Sequence, residues 1–209
     1  GDNGAGKSTI LLSIAGGLAD ARIGGEIRIE GIAKPNTDGV VARRKAGISI
    51  VPEREKVFSL LTVKENLRSA SSGSAADKIK SDDVFDFFPA LAERRATLAG
   101  NLSGGEQQML AIGMALLGNP GILLIDEPTL GLSVPVIEKL CETLAAIRKD
   151  LALTVLIAES EEHWISQLAD RSIRLDCGRL IDAPHPITSP GSVRSASPGT
   201  RRFDRAAHG

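Results

Sequence analysis

Apolar and polar residues along this chain follow two periods, one typical of β-strands and one typical of α-helices. Residues 26–30 alternate strictly between polar and apolar side chains, which predicts a half-buried strand. Residues 47–51 predict a second strand that ends at Pro52, and the continuous apolar runs at 121–125 and 153–158 predict two buried strands. Strands that alternate with helical segments indicate an α/β fold.

Helical spacing and capping signals predict the helices between these strands. Thr62 is a plausible N-cap of one helix, and Ser103 with Glu106 forms an S-x-x-E capping box that opens another. A final pair of short strands is expected at 171–176 and 179–181. The predicted helices cover residues 10–15, residues 60–70, a segment from Ser81 with Val84, Phe88 and Leu91 on one face, a segment after Ser103, and residues 135–149.

Length and composition are those of an ordinary globular chain. The 209 residues are 42% hydrophobic and 24% charged, which suits one domain or one domain with a subdomain. The net charge of −1 argues against a partner held mainly through phosphate-backbone contacts, so no nucleic acid is expected as a partner. Cys141 and Cys177 lack metal-ligand or redox spacing, which indicates free thiols in a reducing compartment such as the cytosol.

Residues 183–209 differ in character from the rest of the chain. They hold four prolines and four serines, several arginines and no apolar periodicity, which predicts a mobile basic tail. The basic residues could also favour an anionic membrane surface, although composition favours a solvated tail.

The first nine residues carry the clearest chemical signal. They read Gly-Asp-Asn-Gly-Ala-Gly-Lys-Ser-Thr, the G-x-x-x-x-G-K-[ST] pattern of a phosphate-binding loop. The glycines let successive backbone N–H groups turn toward an oxyanion, Lys7 supplies charge for the β- and γ-phosphates, and Ser8 is placed to ligate Mg²⁺. A nucleoside triphosphate is therefore the expected ligand, bound by Gly1, Asn3, Gly4, Ala5, Gly6, Lys7, Ser8 and Thr9.

Two downstream stretches add to this chemistry. The capping box at Ser103 contains Gly104 and Gly105, which cost about 1 kcal/mol each inside a helix but expose backbone donors for a second phosphate. The buried run at 121–125 ends in Asp126 and Glu127, where one acid can hold Mg²⁺ and the other can polarise a water. The alternative, that both carboxylates merely end the strand in solvent, fits poorly with acids placed directly after a buried run.

These stretches, in this order, resemble the ATP-binding cassette (ABC) family over about residues 1–182. Residues 1–9 are similar to its Walker A loop, 102–107 to its signature and 122–127 to its Walker B strand. Segments 51–67 and 88–95 look like the ATPase subunits of branched-chain amino acid importers. The form of the Walker A loop is also similar to that of sugar importer subunits, which keeps them as an alternative.

The resemblance implies a P-loop NTPase (RecA-like) α/β core with a mostly parallel sheet and an inserted α-helical subdomain. The core covers residues 1–58 and 118–182, and the helical subdomain covers 59–117. Because a Walker A loop normally follows a buried strand, we expect the sequence to be an N-terminally truncated piece. The adenine-stacking residue of this family is then also expected upstream of Gly1.

The resemblance also implies roles for single residues and partners for the chain. The implied partners are a second cassette arranged head to tail, integral membrane permease subunits at the cytoplasmic face of the membrane and, indirectly, a solute-binding protein. Lys7 and the loop backbone would hold ATP; Ser8, Asp126 and Glu53 would serve Mg²⁺; Glu127, Ser160 and Glu53 would be catalytic; Ser103, Gly104, Gly105 and Glu106 would bind the ATP of the opposite subunit.

Departures from the family pattern keep two other hypotheses open. Ser160 stands where many members carry a switch His, so we expect slow hydrolysis at this site. Glu53 stands where most members have Gln. A degenerate cassette with a regulatory role is therefore one alternative. A cassette acting on ribosomes or chromosomes is a weaker one, since too few residues separate Lys7 from Ser103 for an inserted coiled coil.

Overall fold

The computed structural model describes residues 1–18, 24–71, 78–161, 163–164, 169–181 and 185–186. Within these ranges the chain alternates between helices and strands, as the sequence pattern predicts. The helices are α1 Lys7–Ala15, α2 Val40–Lys45, α3 Val63–Ala70, α4 Ser81–Phe87, α5 Pro89–Ala92, a 3₁₀ turn Ala99–Asn101, α6 Gly104–Leu116 and α7 Val134–Asp150. The strands are β1 Ile27–Ile29, β2 Ile32–Lys34, β3 Ile48–Val51, β4 Ile122–Asp126, β5 Thr154–Ala158, β6 Arg171–Ser172, β7 Leu175–Asp176, β8 Arg179–Leu180 and β9 His185–Pro186.

A parallel sheet in the order β3-β4-β5 forms the centre of the fold. The apolar run of β4 lies in the middle of this sheet, and Leu123, Leu124 and Ile125 are fully buried. The register pairs Asp126 with Ala158, so β4 and β5 end side by side. Because the strands are parallel, the residues that follow each of them meet at one edge of the sheet.

Helices α3 to α6 occupy the segment between β3 and β4. Leu67, Val84, Leu91 and Leu110 are fully buried there and belong to the same apolar cluster as Leu123 of the sheet. The segment between β3 and β4 is therefore mainly helical, as expected of the helical subdomain. The boundaries of that subdomain, 59–117, stay a prediction. α6 packs on α3, and Ser103 is the N-cap of α6.

Several local predictions need correction. The helix expected from Ser81 is broken at Phe88, whose φ of −126° and ψ of 75° are not helical, because Pro89 disfavours the helical conformation of the residue before it. Helix α2 and strand β2, which pairs antiparallel with β1, were not predicted. The strand expected at 171–176 is two separate short strands, of which β6 pairs with β9 and β7 with β8. The strand predicted to be buried at 153–158 forms as β5 but is only partly buried, with Thr154 and Leu156 exposed, because β5 stands at one end of the described sheet.

The predicted tail, residues 183–209, lies almost entirely outside the described residues. Only His185 and Pro186 are described, and they pair with β6, so a short strand stands at two residues where the sequence predicts none. The rest of that prediction stays a prediction.

Candidate functional site

The phosphate-binding loop leads directly into α1, which begins at Lys7. Gly4 and Gly6 have φ values of 82° and 98°, a region that L-residues with a Cβ rarely adopt. Gly6 is the N-cap of α1 and provides no side chain to cap it. The first N–H groups of a helix lack intrahelical partners, and the N-cap residue of α1 has no side chain that could accept from them. This helix end therefore has the form of an anion-binding site.

Lys7 spans the site from the loop to the ends of β4 and β5. Its ammonium donates to the carbonyl oxygens of Gly1 at 2.8 Å and Asp2 at 3.0 Å. It also donates to Ser160 Oγ at 3.1 Å and forms an ion pair with Glu127 Oε1 at 3.1 Å. Both side chains of this ion pair are only 9% exposed. The phosphate-loop cation is thus bound to the acid that follows the buried strand.

Glu127 is held in place from several directions. Ser160 Oγ donates to Glu127 Oε1 at 2.5 Å, and the Ser160 backbone N–H donates to Oε2 at 3.2 Å. The Glu127 backbone has a φ of 46° and donates to Ala158 O at 2.8 Å. Burial acts to raise the pKa of Glu127, but hydrogen bonds from Ser160 and Lys7 outweigh it and lower the pKa below its ordinary value. Glu127 is therefore a carboxylate at neutral pH, as a base must be.

The side chains of Asp126 and Ser8 fit a magnesium site. Asp126 Oδ1 is buried, and within the part of the chain that the structure describes it has no hydrogen-bond partner. Burial raises the pKa of Asp126, and a hydrogen bond from the Ser8 side chain opposes that rise. An unpartnered buried carboxylate oxygen beside a hydroxyl is a fitting pair of ligands for Mg²⁺, which prefers oxygen donors and keeps several waters.

Glu53 lies near Asp126 without joining the contacts around Lys7. Its negative charge contributes to the raised pKa of Asp126, which places it on the magnesium side of the site. Its carboxylate accepts a hydrogen bond from Arg54 at 3.0 Å, and Arg54 is largely exposed. The proposed metal and catalytic roles of Glu53 therefore rest on proximity alone.

Asn3 and Thr9 take different positions in the loop region. Asn3 Oδ1 lies 3.1 Å from Ser160 Oγ, so it borders the Lys7 contacts. Thr9 is exposed on α1, and its carbonyl accepts from the Ser13 hydroxyl. Ala5 is buried and accepts a backbone hydrogen bond from Gly178, which ties the loop to the β7-β8 hairpin.

The signature stretch forms the predicted capping box at the start of α6. Ser103 Oγ accepts from the Glu106 backbone N–H at 3.3 Å, while the Glu106 carboxylate accepts from the Ser103 N–H at 2.8 Å. No contact among the described residues joins Ser103 or Glu106 to Lys7 or Glu127. The two predicted phosphate sites therefore share no direct contact among the described residues.

Gly105 has a packing role that the sequence argument missed. A Cβ at Gly105 would lie 2.5 Å from Val136 Cγ1 on α7, whereas one at Gly104 would have its nearest neighbour, Leu132 Cδ2, at 3.6 Å. Gly105 is therefore needed for the close approach of α6 and α7. Packing therefore explains why residue 105 is a glycine, but it does not explain why residue 104 is one.

This difference gives a matched pair of variants. Gly105→Ala is expected to lower the free energy of unfolding by about 1–3 kcal/mol relative to Gly104→Ala, because overpacking costs that much in a well-packed interface. Both variants gain the same helix propensity, so Gly104→Ala controls for it. Urea unfolding of the two variants measures the difference, and equal stabilities would contradict the packing role.

Sequence reasoning also missed Glu159, which follows β5 as Glu127 follows β4. Its carboxylate accepts from Thr129 Oγ1 at 2.7 Å, from the Ser160 N–H at 2.9 Å and from the Glu161 N–H at 3.2 Å. Burial raises the pKa of Glu159, and the neighbouring Glu127 adds to that rise. The same rule that selects Glu127, an acid directly after a strand predicted to be buried, would have selected Glu159, although β5 itself is only partly buried.

A phosphate-binding loop beside the carboxyl ends of a parallel sheet, with an acid pair at the end of its central strand, defines a P-loop nucleotide-binding protein. Comparison with known sequences shows to which family of P-loop proteins the chain belongs. The family model described as ABC transporter matches residues 1–130. The chain belongs to the ABC transporter family.

Two curated relatives resemble most of the chain. The high-affinity branched-chain amino acid transport ATP-binding protein BraG of Pseudomonas aeruginosa is 43% identical over 202 residues, which cover 94% of this chain and 84% of the relative. The probable branched-chain amino acid transport ATP-binding protein LivF of Archaeoglobus fulgidus is 37% identical over 186 residues, which cover 86% of this chain and 76% of the relative. The predicted family is confirmed.

Solved structures confirm the predicted fold. An ATP-binding cassette of an ABC transporter in its ADP conformation superposes with a TM-score of 0.74 at 24% identity and covers 88% of this chain and 77% of its own. The cbiO1 protein of Clostridium perfringens, part of the ABC transporter complex cbiONQ, gives a TM-score of 0.75 at 24% identity, over 89% of this chain and 74% of its own. The family match and the curated relatives, together with this fold, show that the chain is an ATP-binding cassette ATPase of the transporter family.

Proposed function

We propose that this chain is the ATP-hydrolysing subunit of an importer for branched-chain amino acids. The observation that carries the proposal is the convergence of Lys7, Ser160 and Glu127 at the edge where β4 and β5 end. The names of the two relatives, both branched-chain amino acid transport proteins, support the solute class. A sugar importer subunit remains the alternative, on the form of the Walker A loop.

Nucleotide binding changes the partners of Lys7 in this proposal. The loop N–H groups and the Lys7 ammonium bind the β- and γ-phosphates. Because Lys7 is ion-paired with Glu127 at 3.1 Å, its move toward the phosphates frees one side of that carboxylate. Glu127, still hydrogen-bonded by Ser160, then accepts a proton from the attacking water. Mg²⁺ held by Ser8 and Asp126 would neutralise charge on the phosphate oxygens.

A second cassette completes the site in this proposal. Ser103 is exposed at the N-terminus of α6, away from the Lys7 contacts of its own chain. A helix N-terminus attracts phosphate, so α6 of one subunit would bind the ATP held by the loop of the other. ATP then joins two cassettes head to tail, and hydrolysis releases them.

The permease partner would dock on the groove between α2, β3 and α6. A cavity of about 280 Å³ lies there, with Val40, Phe58 and Met114 in its lining. Val40 and Phe58 are exposed apolar side chains. Among the described residues no helix combines the length and apolarity needed to cross a bilayer. A permease in the membrane with this chain on its cytoplasmic face, and a solute-binding protein on the other side, would complete the importer.

Ser160 favours a second candidate, a cassette that binds ATP but turns it over slowly. Ser160→His is expected to raise the rate of ATP hydrolysis about 10- to 100-fold, since an imidazole can donate directly to the γ-phosphate and such a bond is worth roughly 1.5–3 kcal/mol. Steady-state hydrolysis by the assembled transporter measures this, with Ser160→Ala as the control for loss of the hydroxyl. An unchanged or lower rate in Ser160→His would contradict the impaired-switch hypothesis.

Solute competition tests the proposed importer. Cells that express this chain with its permease and binding protein should take up labelled leucine, and excess unlabelled valine or isoleucine should compete. Excess ribose should not. Competition by ribose with no effect of valine would replace the proposal with the sugar importer.

A further inference from the structure

The β7-β8 hairpin touches the phosphate-binding loop at two places. The Gly178 backbone N–H donates to the Ala5 carbonyl at 2.9 Å, and the Gly178 Cα lies 3.6 Å from the position that a Cβ on Gly6 would take. At the other end of the loop, a Cβ on Gly1 would collide with the Leu175 carbonyl oxygen. The loop is thus packed directly against the backbone of the hairpin.

The hydrogen bond from Gly178 fixes the orientation of one peptide group in the loop. The Ala5 carbonyl and the Gly6 N–H belong to the same planar trans peptide, so they point in opposite directions. Because the carbonyl is turned toward the hairpin, the Gly6 N–H is turned away from it. Within the described residues the Gly6 N–H donates to no backbone carbonyl. It is therefore a donor that a phosphate oxygen can use.

A peptide group that contains glycine needs such a restraint. Gly6 has no Cβ, so its φ of 98° is one of several conformations that are open to it. A flip of the Ala5–Gly6 peptide would exchange the directions of its carbonyl and its N–H, and an acceptor would then replace a donor at the phosphates. A carbonyl oxygen repels phosphate oxygens. The hydrogen bond to the hairpin opposes this flip.

We propose that Gly178, in the turn of the β7-β8 hairpin, is a positioning residue for nucleotide binding: its N–H holds the Ala5–Gly6 peptide so that the Gly6 N–H is available to the phosphates. This inference rests on the proposed function only in that ATP binds at this loop. The described hydrogen bond of Gly178 is to the loop backbone, so Gly178 acts through the loop.

The shape of this turn depends on Gly178. Cys177 and Gly178 both have positive φ, 48° and 76°, which is the pattern of a type I′ hairpin turn. A side chain disfavours such a φ, so a substitution at Gly178 strains the turn that directs the N–H toward Ala5. A Cβ at Gly178 would have no neighbour within 4 Å. The strain therefore acts through the backbone and not through a clash.

The β1-β2 hairpin provides a matched control. Its turn residues, Glu30 and Gly31, have φ values of 51° and 77°, and a Cβ at Gly31 would also have no neighbour within 4 Å. Gly31→Val and Gly178→Val therefore strain two turns of the same type through the same backbone effect. No described backbone hydrogen bond joins Gly31 to the phosphate-binding loop.

Equilibrium binding of ADP to the assembled transporter measures the effect, because ADP is the product of hydrolysis and is not consumed. Gly178→Val is expected to raise the Kd for ADP about 3- to 10-fold, the contribution of one hydrogen bond, whereas Gly31→Val should leave it within about twofold. Inorganic pyrophosphate carries only the phosphate part of ADP. Its Kd, measured by competition with ADP, should rise in Gly178→Val by the same factor.

Three results would overturn the proposal: an unchanged Kd for ADP in Gly178→Val, an equal rise in Gly31→Val, or a rise for ADP without one for pyrophosphate. The last would place the loss at the base or the ribose. If Gly178→Val does not fold, Cys177→Val strains the same turn without changing residue 178, with Glu30→Val as its control, and the same results decide. A wild-type transporter that binds no ADP would instead contradict the proposed function, so the two failures are distinguishable.

Discussion

Glu127→Gln is expected to lower the rate of ATP hydrolysis about 10²- to 10⁴-fold, the contribution of a positioned general base. Glutamine keeps the shape of the side chain and can still accept from Ser160, so the site should remain folded. The amide cannot take a proton from water. It also cannot form the ion pair with Lys7, which leaves Lys7 available for phosphates. ATP affinity should therefore be unchanged or higher.

Steady-state hydrolysis and equilibrium nucleotide binding, measured on one preparation of the assembled transporter, test this prediction. Glu142→Gln is a suitable control because Glu142 is exposed on α7 and, among the described residues, its one ion pair is with Lys139 at 3.5 Å. Unchanged hydrolysis in Glu127→Gln would remove Glu127 from the role of base. Loss of ATP binding would show that its carboxylate is needed to shape the loop.

Ser103→Arg is expected to abolish ATP-driven pairing of two cassettes while each isolated subunit still binds ATP. Ser103 is the exposed N-cap of α6, and a long cation there would fill the space that the γ-phosphate of the opposite subunit needs. Lys7 and its loop lie elsewhere in the same chain, so ATP binding in cis should persist. The loss of the cap itself costs only about 1 kcal/mol.

Light scattering on a Glu127→Gln background measures this pairing, since ATP is not consumed there. Glu127→Gln alone should change from monomer to dimer when Mg-ATP is added, and the Ser103→Arg double variant should stay monomeric. Ser103→Ala removes the same cap without adding bulk, so it should still pair. Normal pairing of the Arg variant would leave Ser103 with a capping role only.

Features that depend on neighbours in sequence could be predicted for this protein. Thr62 is the expected N-cap and Ser103 forms the expected capping box; the structure adds a capping box at Thr62, because Glu65 lies three residues away just as Glu106 does from Ser103. β4 follows from its continuous apolar run. The helix α2 was missed because Gly39 provides no side-chain cap, and Arg43 is its sole buried residue, so no apolar periodicity marks it.

Features that depend on pairing between distant segments could not be predicted. The register of β4 with β5 brings Glu159 beside Glu127, and no pattern within either strand encodes that register. The ion pair of Lys7 with Glu127 likewise joins the phosphate-binding loop to a residue 120 positions later in the chain, and no local pattern predicts it. A side chain at residue 105 would collide with Val136, which lies on α7. Because this contact is between distant segments, the sequence alone predicted only a phosphate role for Gly105.

The central claim is that ATP hydrolysis at Glu127 powers solute import. Its most direct test is the uptake of labelled leucine into vesicles that contain the whole transporter, with Mg-ATP on the cassette side and hydrolysis measured in the same sample. Wild-type vesicles should accumulate leucine in proportion to ATP hydrolysed, and Glu127→Gln vesicles should bind ATP yet accumulate none. Leucine accumulation at the wild-type rate by Glu127→Gln would contradict the account.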